Sequence, residues 1–405
     1  MIANNFKELL ECVACKGKNL IAIIDLGYQP LANNYSHVAG YLEKYPLKLM
    51  HCTMCSHSQL SIAVNPSILF KNYLYVSGTS DTLDNYFDSL KNQIIKKFGP
   101  VGKILDIGSN DGSFLAKFNN TNWLCLGVDP AVNLLQSSLD KGVVTLPTFF
   151  DQKLAELLAN NFDVIIAMNS FAHTGNPLEV LLGIKKCLKD NGIAIIQTSQ
   201  SDMFLNGQFD TVYHEHISFF NVKSMKFLLN RAGLFLSKVS INPIHGNSYV
   251  WEISKKSDKE IVHDREKYEL SLGLYSEPIY KEFTKVAYSR VQNVITIVNN
   301  FRAKGFLINS YGAAAKGNTF INFANLKLDF ILDETPQKIG LFSPAGGVKV
   351  SHPDVLKKID SPILFLIPAW NFKNEILSKI RAYRRNSMDE YLIYFPEIIQ
   401  EKVFR

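Results

Sequence analysis

The sequence predicts an α/β protein: a doubly wound sheet, preceded by a small cysteine-rich module and followed by a second α/β domain. Three observations support this. Four of the six cysteines occur early, as two CxxC pairs. Apolar runs such as "KILDIG", "WLCLGVD" and "FDVIIAMNS" then alternate with segments of helical spacing, which is typical of a doubly wound sheet. After a long helical stretch, the alternation starts again at "FLINSYGAAAKGNTF".

Length and composition limit the classes of protein to consider. The chain has 405 residues, 47% hydrophobic and 20% charged, which suits a globular protein of two or three domains. We predict domains at residues 1–66, 67–255 and 256–405. The net charge of +6 suits anionic partners such as nucleotides and phosphorylated sugars, but is too small to indicate nucleic acid. The densest basic run, "RAYRR", is expected to be a solvated helix end.

The sequence shows no clear targeting signal and no clear membrane span. No apolar run approaches the roughly 20 residues of a membrane span, and "MIANNFKELL" lacks the pattern of a signal peptide. We therefore expect a cytoplasmic protein with no membrane and no nucleic-acid partner. In that compartment the cysteines are expected to be thiols or metal ligands. The oligomeric state, monomer or dimer, stays open.

Two cysteine pairs predict a structural zinc site. Cys12 and Cys15 form one CxxC turn, and Cys52 and Cys55 form another. Two such turns can supply the four thiolates of a tetrahedral site. Residues 16–51 separate the pairs, so an insertion longer than usual must lie between them. Because four protein ligands leave no open coordination position, the predicted zinc is structural.

The segment "ILDIGSNDGSFL" predicts a ligand-binding turn at the end of a strand. Asp106 lies in the strand, and Asn110 stands where a dinucleotide-binding turn has its second glycine. An acidic strand end suits a sulfonium or ammonium group better than a pyrophosphate. The next strand ends at Asp129, which can accept both hydroxyls of a ribose. The predicted cofactor-binding residues are Asp106, Gly108, Asn110, Gly112, Asp129, Pro130 and Asn169.

The Gly-rich turn together with Asp129 resembles class I S-adenosylmethionine-dependent methyltransferases. Further motifs resemble a narrower family, the sugar C-methyltransferases that act on nucleotide-linked 4-keto-deoxysugars. They are the CxxC pairs with "LGYQPLANNY", then "YLYVSGTS", "NSFAHTGNP", "FDTVYHEHISFF", "HGNSYVWE", "YGAAAKGNTFIN" and "DETPQKIGLFSP", and they cover nearly the whole chain. The resemblance implies a zinc module, a class I methyltransferase domain and a C-terminal Rossmann-like domain that binds the nucleotide sugar.

The resemblance also implies a reaction and the residues that perform it. A methyl group would pass from S-adenosylmethionine to C3 of a nucleotide-linked 4-keto-6-deoxyhexose through an enolate, in branched deoxysugar biosynthesis. A histidine suits the proton removal because its pKa lies near working pH. The residues implied at the reacting sugar are His216 as the base, with Tyr213, Glu215, His173 and Tyr75 around the sugar.

The residues of "YHEH" by themselves leave three interpretations: a metal site, a solvated loop or an acid–base device. A catalytic metal is disfavoured because the sequence shows no further ligand cluster nearby. If the segment is a strand, His214 points away from the site, and a bend is required for Tyr213 and His216 to reach one substrate. His214 has no role that the sequence supports.

The last domain is expected to bind the nucleotide end of the substrate. In "YGAAAKGNT", Lys316 and the neighbouring glycines can meet a phosphate at a helix N-terminus. The predicted substrate-binding residues are Lys316, Asn318, Asp333, Lys338 and His245. The chain departs from the family at "SPAGGVKV", which lacks a common histidine, and at "HGNSYVW", which lacks a common arginine. The missing histidine puts in doubt which nucleotide is bound, and the contacts that the arginine supplies in relatives are expected to be absent.

Two other functions are compatible with parts of the sequence. One is an RNA methyltransferase that uses its zinc ribbon for recognition, which the mild charge and the lack of a basic aromatic stripe disfavour. The other is a non-catalytic nucleotide-sugar-binding protein, which the intact "LDIGSNDG" and "YHEH" motifs disfavour.

Overall fold

The computed structural model describes residues 5–40, 42–79, 81–199, 202–243, 247–256 and 264–404. Its strands are β1 (Phe6–Glu8), β2 (Leu20–Pro30), β3 (Lys44–Cys52), β4 (Ser58–Leu60), β5 (Ile62–Val64), β6 (Val101–Ile107), β7 (Asn122–Val128), β8 (Thr145–Leu146), β9 (Phe162–Met168), β10 (Leu188–Ser199), β11 (Ser218–Phe219), β12 (Phe235–Asn242), β13 (Ser248–Ser254), β14 (Leu307–Tyr311), β15 (Phe330–Leu332), β16 (Val350–Ser351), β17 (Ile363–Leu366), β18 (Glu390–Ile393) and β19 (Ile399–Lys402). Its α-helices are α1 (Pro66–Phe70), α2 (Asp81–Phe98), α3 (Ser113–Ala116), α4 (Leu135–Asp140), α5 (Gln152–Leu157), α6 (Pro177–Cys187), α7 (Met203–Asn206), α8 (Val222–Ala232), α9 (Asp264–Ser271), α10 (Glu277–Ala303), α11 (Ala315–Phe323) and α12 (Lys373–Tyr383).

The chain packs as two compact units, each made of several segments. The first unit comprises Met1–Ala22, Met50–Ser201 and Glu215–Ser276. The second comprises Ile23–Leu49, Asp202–His214 and Glu277–Arg405. Strands β2 and β3 each continue through a boundary between the units. The predicted domains, with boundaries after residues 66 and 255, are continuous in sequence, whereas these units are not. The predicted domain division therefore stays a prediction.

A seven-stranded sheet of order β12-β13-β10-β9-β6-β7-β8 forms the centre of the first unit. The strands from β10 to β8 are parallel, and β13 runs antiparallel to both β10 and β12. The chain continues from β6 to β7 on one side and later returns to β9 on the other. This reversal opens a crevice at the carboxyl ends of these strands. The predicted doubly wound α/β sheet is confirmed.

Helices cover both faces of this sheet because its central strands are apolar on both sides. In β9, Val164 and Ile166 belong to one buried cluster, while Ile165 and Ala167 belong to the other. Helix α2 packs in the first cluster and helices α6 and α8 in the second. The buried apolar residues of α2 recur at helical spacing, as expected for an amphipathic helix; they are Leu83, Phe87, Leu90 and Ile94.

The cysteine-rich segment shares the core of the first unit. Three of the four cysteines are buried in one cluster with apolar residues of α6 and α8. At the start of α8, the side chain of Asn221 donates to the Ser56 carbonyl at 2.6 Å. Near its end, Arg231 donates to the Ala14 carbonyl at 2.6 Å. The two cysteine-bearing turns therefore hold α8 at both ends.

The second unit contains a six-stranded sheet of order β16-β15-β14-β17-β18-β19. All neighbouring strands are parallel except β18 and β19. The long helical stretch predicted before β14 is, in its described part, two helices, α9 and α10, with Gly273 in the left-handed region at φ +73° between them. Among the helices of the described residues, none is long and apolar enough to cross a membrane.

Candidate active site and metal centre

The Gly-rich turn follows β6 at the carboxyl edge of the sheet. Gly108 has φ +81° and Gly112 has φ +74°, both in the region that favours glycine. A Cβ on Gly108 would lie 2.5 Å from the Cβ of Ser170, and one on Gly112 would lie 2.7 Å from the Oγ of Ser138. Larger side chains would therefore strain the turn and displace its neighbours.

Asp106 presents a buried carboxyl group to this turn. The residue is 3% exposed, and its Oδ1 makes no hydrogen bond within the described part of the protein. Burial, with a further contribution from Asp129, raises the pKa of Asp106 to about 8. The Oγ of Ser109 is also buried without a hydrogen-bond partner among described residues. Buried polar atoms of this kind suit a polar or cationic ligand, so the turn fits S-adenosylmethionine.

Asp129 follows β7 and ties two loops together. Its Oδ2 accepts from the Asn110 amide nitrogen and its Oδ1 from that of Ala131, both at 2.8 Å. Burial raises the pKa of Asp129, and these two hydrogen bonds oppose the shift. Pro130, next in the chain, is half-buried.

Asn169 follows β9 and is half-buried, with φ +55°. Its backbone N–H donates to the Gln197 carbonyl at 2.9 Å. The Gln197 side chain accepts from the Tyr86 hydroxyl at 3.1 Å, and its Nε2 has no hydrogen-bond partner among described residues. The structure thus places the predicted acids, glycines and Asn169 at one edge of the sheet.

The ring of the predicted base ends a stack of three flat rings. The rings of Phe70 and His173 are 5.5 Å apart and nearly parallel, and those of His173 and His216 are 5.4 Å apart at an interplanar angle of 21°. His216 is half-buried. Burial lowers the pKa of His173 to about 4, so its imidazole is neutral at neutral pH. Two histidines that are distant in sequence therefore meet in the first unit.

Glu215 reaches a tyrosine that sequence reasoning missed. The carboxylate is 2% exposed and accepts from the Tyr73 hydroxyl at 2.8 Å. Tyr73 also contacts Phe70, with ring centroids 5.7 Å apart, and joins the histidine stack. Tyr75 is 41% exposed, yet desolvation of its hydroxyl raises its pKa to about 12, with Asp111 adding to the shift. The available signal was that Tyr73 and Tyr75 lie two residues apart in "YLYVSG".

The "YHEH" segment is a bend and turn rather than a strand, so the alternation of side chains along a strand does not apply to it, and the bend required for Tyr213 and His216 to reach one substrate is present. Tyr213 and His214 belong to the second unit, whereas Glu215 and His216 belong to the first. His214 is buried, and its Nε2 lies 3.3 Å from the Tyr45 carbonyl oxygen. Burial lowers the pKa of His214 to about 4. These contacts give His214 a structural place in the second unit.

Several predicted substrate residues of the second unit hold the loop between β14 and α11. The Nζ of Lys338 donates to the Ala313 carbonyl at 2.8 Å, and Asp333 accepts from the Ala313 amide at 2.7 Å. The buried Asn318 donates to the Tyr35 hydroxyl at 2.9 Å. A role in binding substrate stays a prediction for Asn318, Asp333 and Lys338. His245 lies outside the described residues.

Lys316 faces a buried acid that sequence reasoning also missed. Asp210 is fully buried, and burial raises its pKa to about 6, although the charges of Lys316 and Arg290 oppose the shift. Burial lowers the pKa of Lys316, and Asp210 opposes that change. The Tyr394 ring stacks on Phe320 of α11, with centroids 3.8 Å apart, and its buried hydroxyl interacts with Asp210.

The four predicted metal ligands come together. All four Sγ atoms lie within 4.8 Å of one another; Cys12 and Cys55 are 3.6 Å apart, and Cys15 and Cys52 are 3.5 Å apart. A tetrahedral zinc with Zn–S bonds of about 2.3 Å requires sulfurs about 3.8 Å apart. The quartet therefore fits zinc in both donor type and spacing.

The two cysteine turns have the same backbone geometry. The backbone N–H of Lys16 donates to the Cys12 carbonyl at 2.8 Å, and the backbone N–H of Ser56 donates to the Cys52 carbonyl at 2.9 Å. Lys16 and Ser56 both adopt left-handed conformations, at φ +65° and +62°. The Cys52 turn also leads into β4, which pairs antiparallel with β11. Strand β11 begins at Ser218, two residues beyond His216, so this pairing links the cysteine turn to the predicted base.

Three family models match the chain in order. A zinc binding domain matches residues 12–70, a methyltransferase domain matches residues 81–238, and a C-methyltransferase C-terminal domain matches residues 243–396. The matches begin with the cysteine turns and extend through both sheets.

Relatives match to different extents. The C-methyltransferase NovU of Streptomyces niveus is 27% identical over 403 residues, covering 96% of each chain. A tRNA U34 carboxymethyltransferase of Dichelobacter nodosus is 28% identical over 140 residues, 33% of this chain and 42% of that enzyme. A solved 1,6-didemethyltoxoflavin-N1-methyltransferase of Burkholderia thailandensis has 18% identity and a TM-score of 0.34, covering 43% of this chain and 78% of its own.

The order of the domains and the end-to-end match distinguish these relatives. The likeness to the tRNA enzyme covers a third of this chain, whereas the likeness to the C-methyltransferase includes the cysteine module and the C-terminal domain. The three domain matches and the end-to-end similarity to a C-methyltransferase therefore support S-adenosylmethionine-dependent C-methylation.

Proposed function

We propose that the protein methylates C3 of a nucleotide-linked 4-keto-6-deoxyhexose and that His216 removes the C3 proton. The observation that supports this most strongly is the stack of Phe70, His173 and His216, joined through Phe70 to the Tyr73–Glu215 hydrogen bond. These groups lie in the same unit as the acidic, Gly-rich turn. Proton removal beside a ketone requires a base and a hydrogen-bond donor for the enolate oxygen, and the histidines and tyrosines of this cluster can supply both.

The residues have separate tasks in this reaction. Bound S-adenosylmethionine supplies an electrophilic methyl group on a sulfonium. His216 takes the proton from C3, and the electron pair left on that carbon would form the new bond to the methyl carbon as the sulfur–methyl bond breaks; the sulfur keeps that bond's electron pair, and the leaving group is S-adenosylhomocysteine. Proton transfer by a positioned histidine typically contributes about 10²–10⁴-fold to the rate. The proton then passes from His216 to solvent.

The neighbours of His216 suit the charge that develops. His173 stays neutral because its pKa is about 4, so it can stack on a protonated His216 without adding a second positive charge. The Tyr75 hydroxyl, with a pKa of about 12, keeps its proton and can donate to the enolate oxygen. Glu215, held by Tyr73, lies next to His216 in the chain and can bind a sugar hydroxyl.

We assign the nucleotide end of the substrate to the second unit. Lys316 lies in the first turn of α11, where its charge and the helix N-terminus both favour a diphosphate. Asp333 and Lys338 bond the loop before this helix at Ala313, and Asn318 holds Tyr35, whose hydroxyl donates to the Ala313 carbonyl. Which base the nucleotide carries is left to experiment.

We further propose that zinc, held by Cys12, Cys15, Cys52 and Cys55, has a structural role. The turn after Cys52 leads into β4, which pairs with β11, and the other contacts of the cysteine turns fix α8. Both elements follow His216 closely in the chain. Zinc would therefore stabilise the backbone on which the base is held.

A substrate panel tests the proposed function. The protein is incubated with S-adenosylmethionine labelled in its methyl group and with TDP-, GDP- and CDP-linked 4-keto-6-deoxyhexoses. We expect label on C3 of one sugar class, located by mass spectrometry and NMR. Methylation of tRNA without methylation of any ketosugar would replace this proposal with an RNA methyltransferase. Absence of S-adenosylmethionine binding to the folded protein would favour a non-catalytic binding protein.

A further inference from the structure

A short segment runs beside both cofactor loops. We call residues 73–77 the strap. It follows α1 and leads into α2, and it carries Tyr73 and Tyr75. Just before it, the Lys71 carbonyl accepts from the backbone N–H of Val132, in the loop after β7, at 3.2 Å.

The side-chain amide of Asn133 makes two hydrogen bonds to the backbone of Tyr73, the first residue of the strap. Its Oδ1 accepts from the Tyr73 N–H and its Nδ2 donates to the Tyr73 carbonyl, both at 2.9 Å. Asn133 lies four residues beyond Asp129 in the predicted ribose loop. An asparagine side chain is suited to this task because it offers a donor and an acceptor side by side.

Asn110 holds the other end of the strap in the same way. Its Oδ1 accepts from the Ser77 N–H and its Nδ2 donates to the Tyr75 carbonyl, both at 3.0 Å. Asn110 lies in the Gly-rich turn and is only 8% exposed. Next to the strap, Gly78 packs on the same turn, since a Cβ there would lie 2.5 Å from the Oγ of Ser113.

The strap therefore connects two sets of functional groups. Its backbone is bonded to both loops that we assign to the cofactor, while the Tyr73 hydroxyl donates to Glu215, one of the groups that we assign to the sugar. The Asp129 carboxylate bonds the two loops to each other through Asn110 and Ala131. A ligand that fixes these loops must also fix the strap.

We propose that Asn110 and Asn133 are positioning residues that couple cofactor binding to the placement of Tyr73 and Tyr75, so that the cofactor and the sugar substrate tighten each other's binding. This inference rests on the proposed function for the identity of the sugar. By thermodynamic linkage, the factor by which the sugar tightens cofactor binding equals the reverse factor.

Equilibrium binding of S-adenosylhomocysteine, with and without the nucleotide ketosugar, measures this coupling without turnover. We expect the sugar to tighten binding at least fivefold in the wild type, at the lower end of common allosteric couplings. Asn133→Ala removes both bonds to Tyr73, and Asn110→Gly removes the other pair while keeping the left-handed turn. The double variant is expected to show a factor below two and a kcat/KM for the sugar lowered about tenfold. Unreduced coupling in the folded double variant would overturn the proposal.

Asn386 provides a matched control. In the second unit its Oδ1 accepts from the Met388 N–H at 2.9 Å and its Nδ2 donates to the Asp360 carbonyl at 3.1 Å, so it makes the same two kinds of bond away from the strap. Asn386→Ala is expected to keep the wild-type coupling factor. Loss of coupling in this variant would show that the effect is one of general stability, against the proposal.

Hydrogen exchange separates this inference from the proposed function. S-adenosylhomocysteine alone should slow exchange of the Tyr73 and Ser77 amides at least fivefold in the wild type and not in the double variant. A second perturbation, Gly78→Ala, should weaken the same protection by displacing the strap from the turn. If no ketosugar is methylated but this protection is seen, the proposed function fails and the coupling of cofactor to strap stands. Equal protection in wild type and double variant would refute the coupling.

Discussion

Replacing Asp106 with asparagine should stabilise the protein while weakening its cofactor binding. The folded protein keeps the Asp106 proton up to a pH of about 8, whereas in the unfolded chain the group ionises near its ordinary value of 3.8. Because the folded pKa is raised, the destabilisation is absent below pH 4, grows as the pH rises towards 8, and is constant above that. At one pKa unit per 1.36 kcal/mol, the difference corresponds to about 5–6 kcal/mol at high pH.

The gain measured for Asp106→Asn will be smaller because the amide must itself be desolvated. We expect about 2–4 kcal/mol of added unfolding free energy at pH 8.5 and less than about 1 kcal/mol at pH 5. Urea unfolding of both proteins at the two pH values gives these numbers. Asp190→Asn is the control, because its side chain is 87% exposed.

The same variant should bind S-adenosylmethionine about 10–100-fold more weakly, since a charge-assisted hydrogen bond contributes about 1.5–3 kcal/mol. In the wild type, binding at pH 7 should release a proton from Asp106, which calorimetry detects in buffers of different ionisation heat. The variant should release none. A variant that is less stable at pH 8.5, or that binds the cofactor as tightly as wild type, would refute this account of Asp106.

Three other changes have expected outcomes. His216→Asn should lower kcat by several orders of magnitude, as expected for a general base, while calorimetry shows an unchanged cofactor affinity; near-normal turnover would contradict the base assignment. Metal analysis should find one bound zinc in the wild type and in Cys125→Ser but none in Cys12→Ser, whose melting temperature should also be lower; a metal-free wild type would contradict the zinc site. Asp210→Asn should add about 1–2 kcal/mol of unfolding free energy at pH 7, because burial raises the pKa of Asp210 to about 6 and the amide removes the buried charge that the acid carries at that pH; a lower urea midpoint in the variant would argue against this account of Asp210.

The sheet and the metal quartet could be predicted because local patterns determine them. Alternating apolar strands and helices specify a parallel sheet, and its strand ends bring Asp106, Asp129 and Asn169 to one edge. Likewise, a CxxC turn places two sulfurs on one side of a tight loop, whatever lies between the pairs.

The contacts of single residues could not be predicted in the same way. Whether "YHEH" is a strand or a turn depends on the groups that pack around it, since both suit a mixed polar and aromatic run. Arg384 of "RAYRR" is 7% exposed and paired with Asp389 at 2.6 Å, so the expectation of a solvated helix end was wrong there. A charged residue looks the same in sequence whether water or a buried acid is its partner. Tyr73 was missed because its partner, Glu215, lies far away in the chain.

Solvent exchange at the reacting carbon tests the central claim most directly. The wild type and His216→Asn are incubated in deuterated water with the nucleotide-linked 4-keto sugar and S-adenosylhomocysteine, and deuterium at C3 is followed by NMR. The account predicts incorporation by the wild type and a rate lowered at least a hundredfold in the variant, in line with the usual size of general-base catalysis. Equal exchange rates in the two proteins would contradict the assignment of His216 as the base.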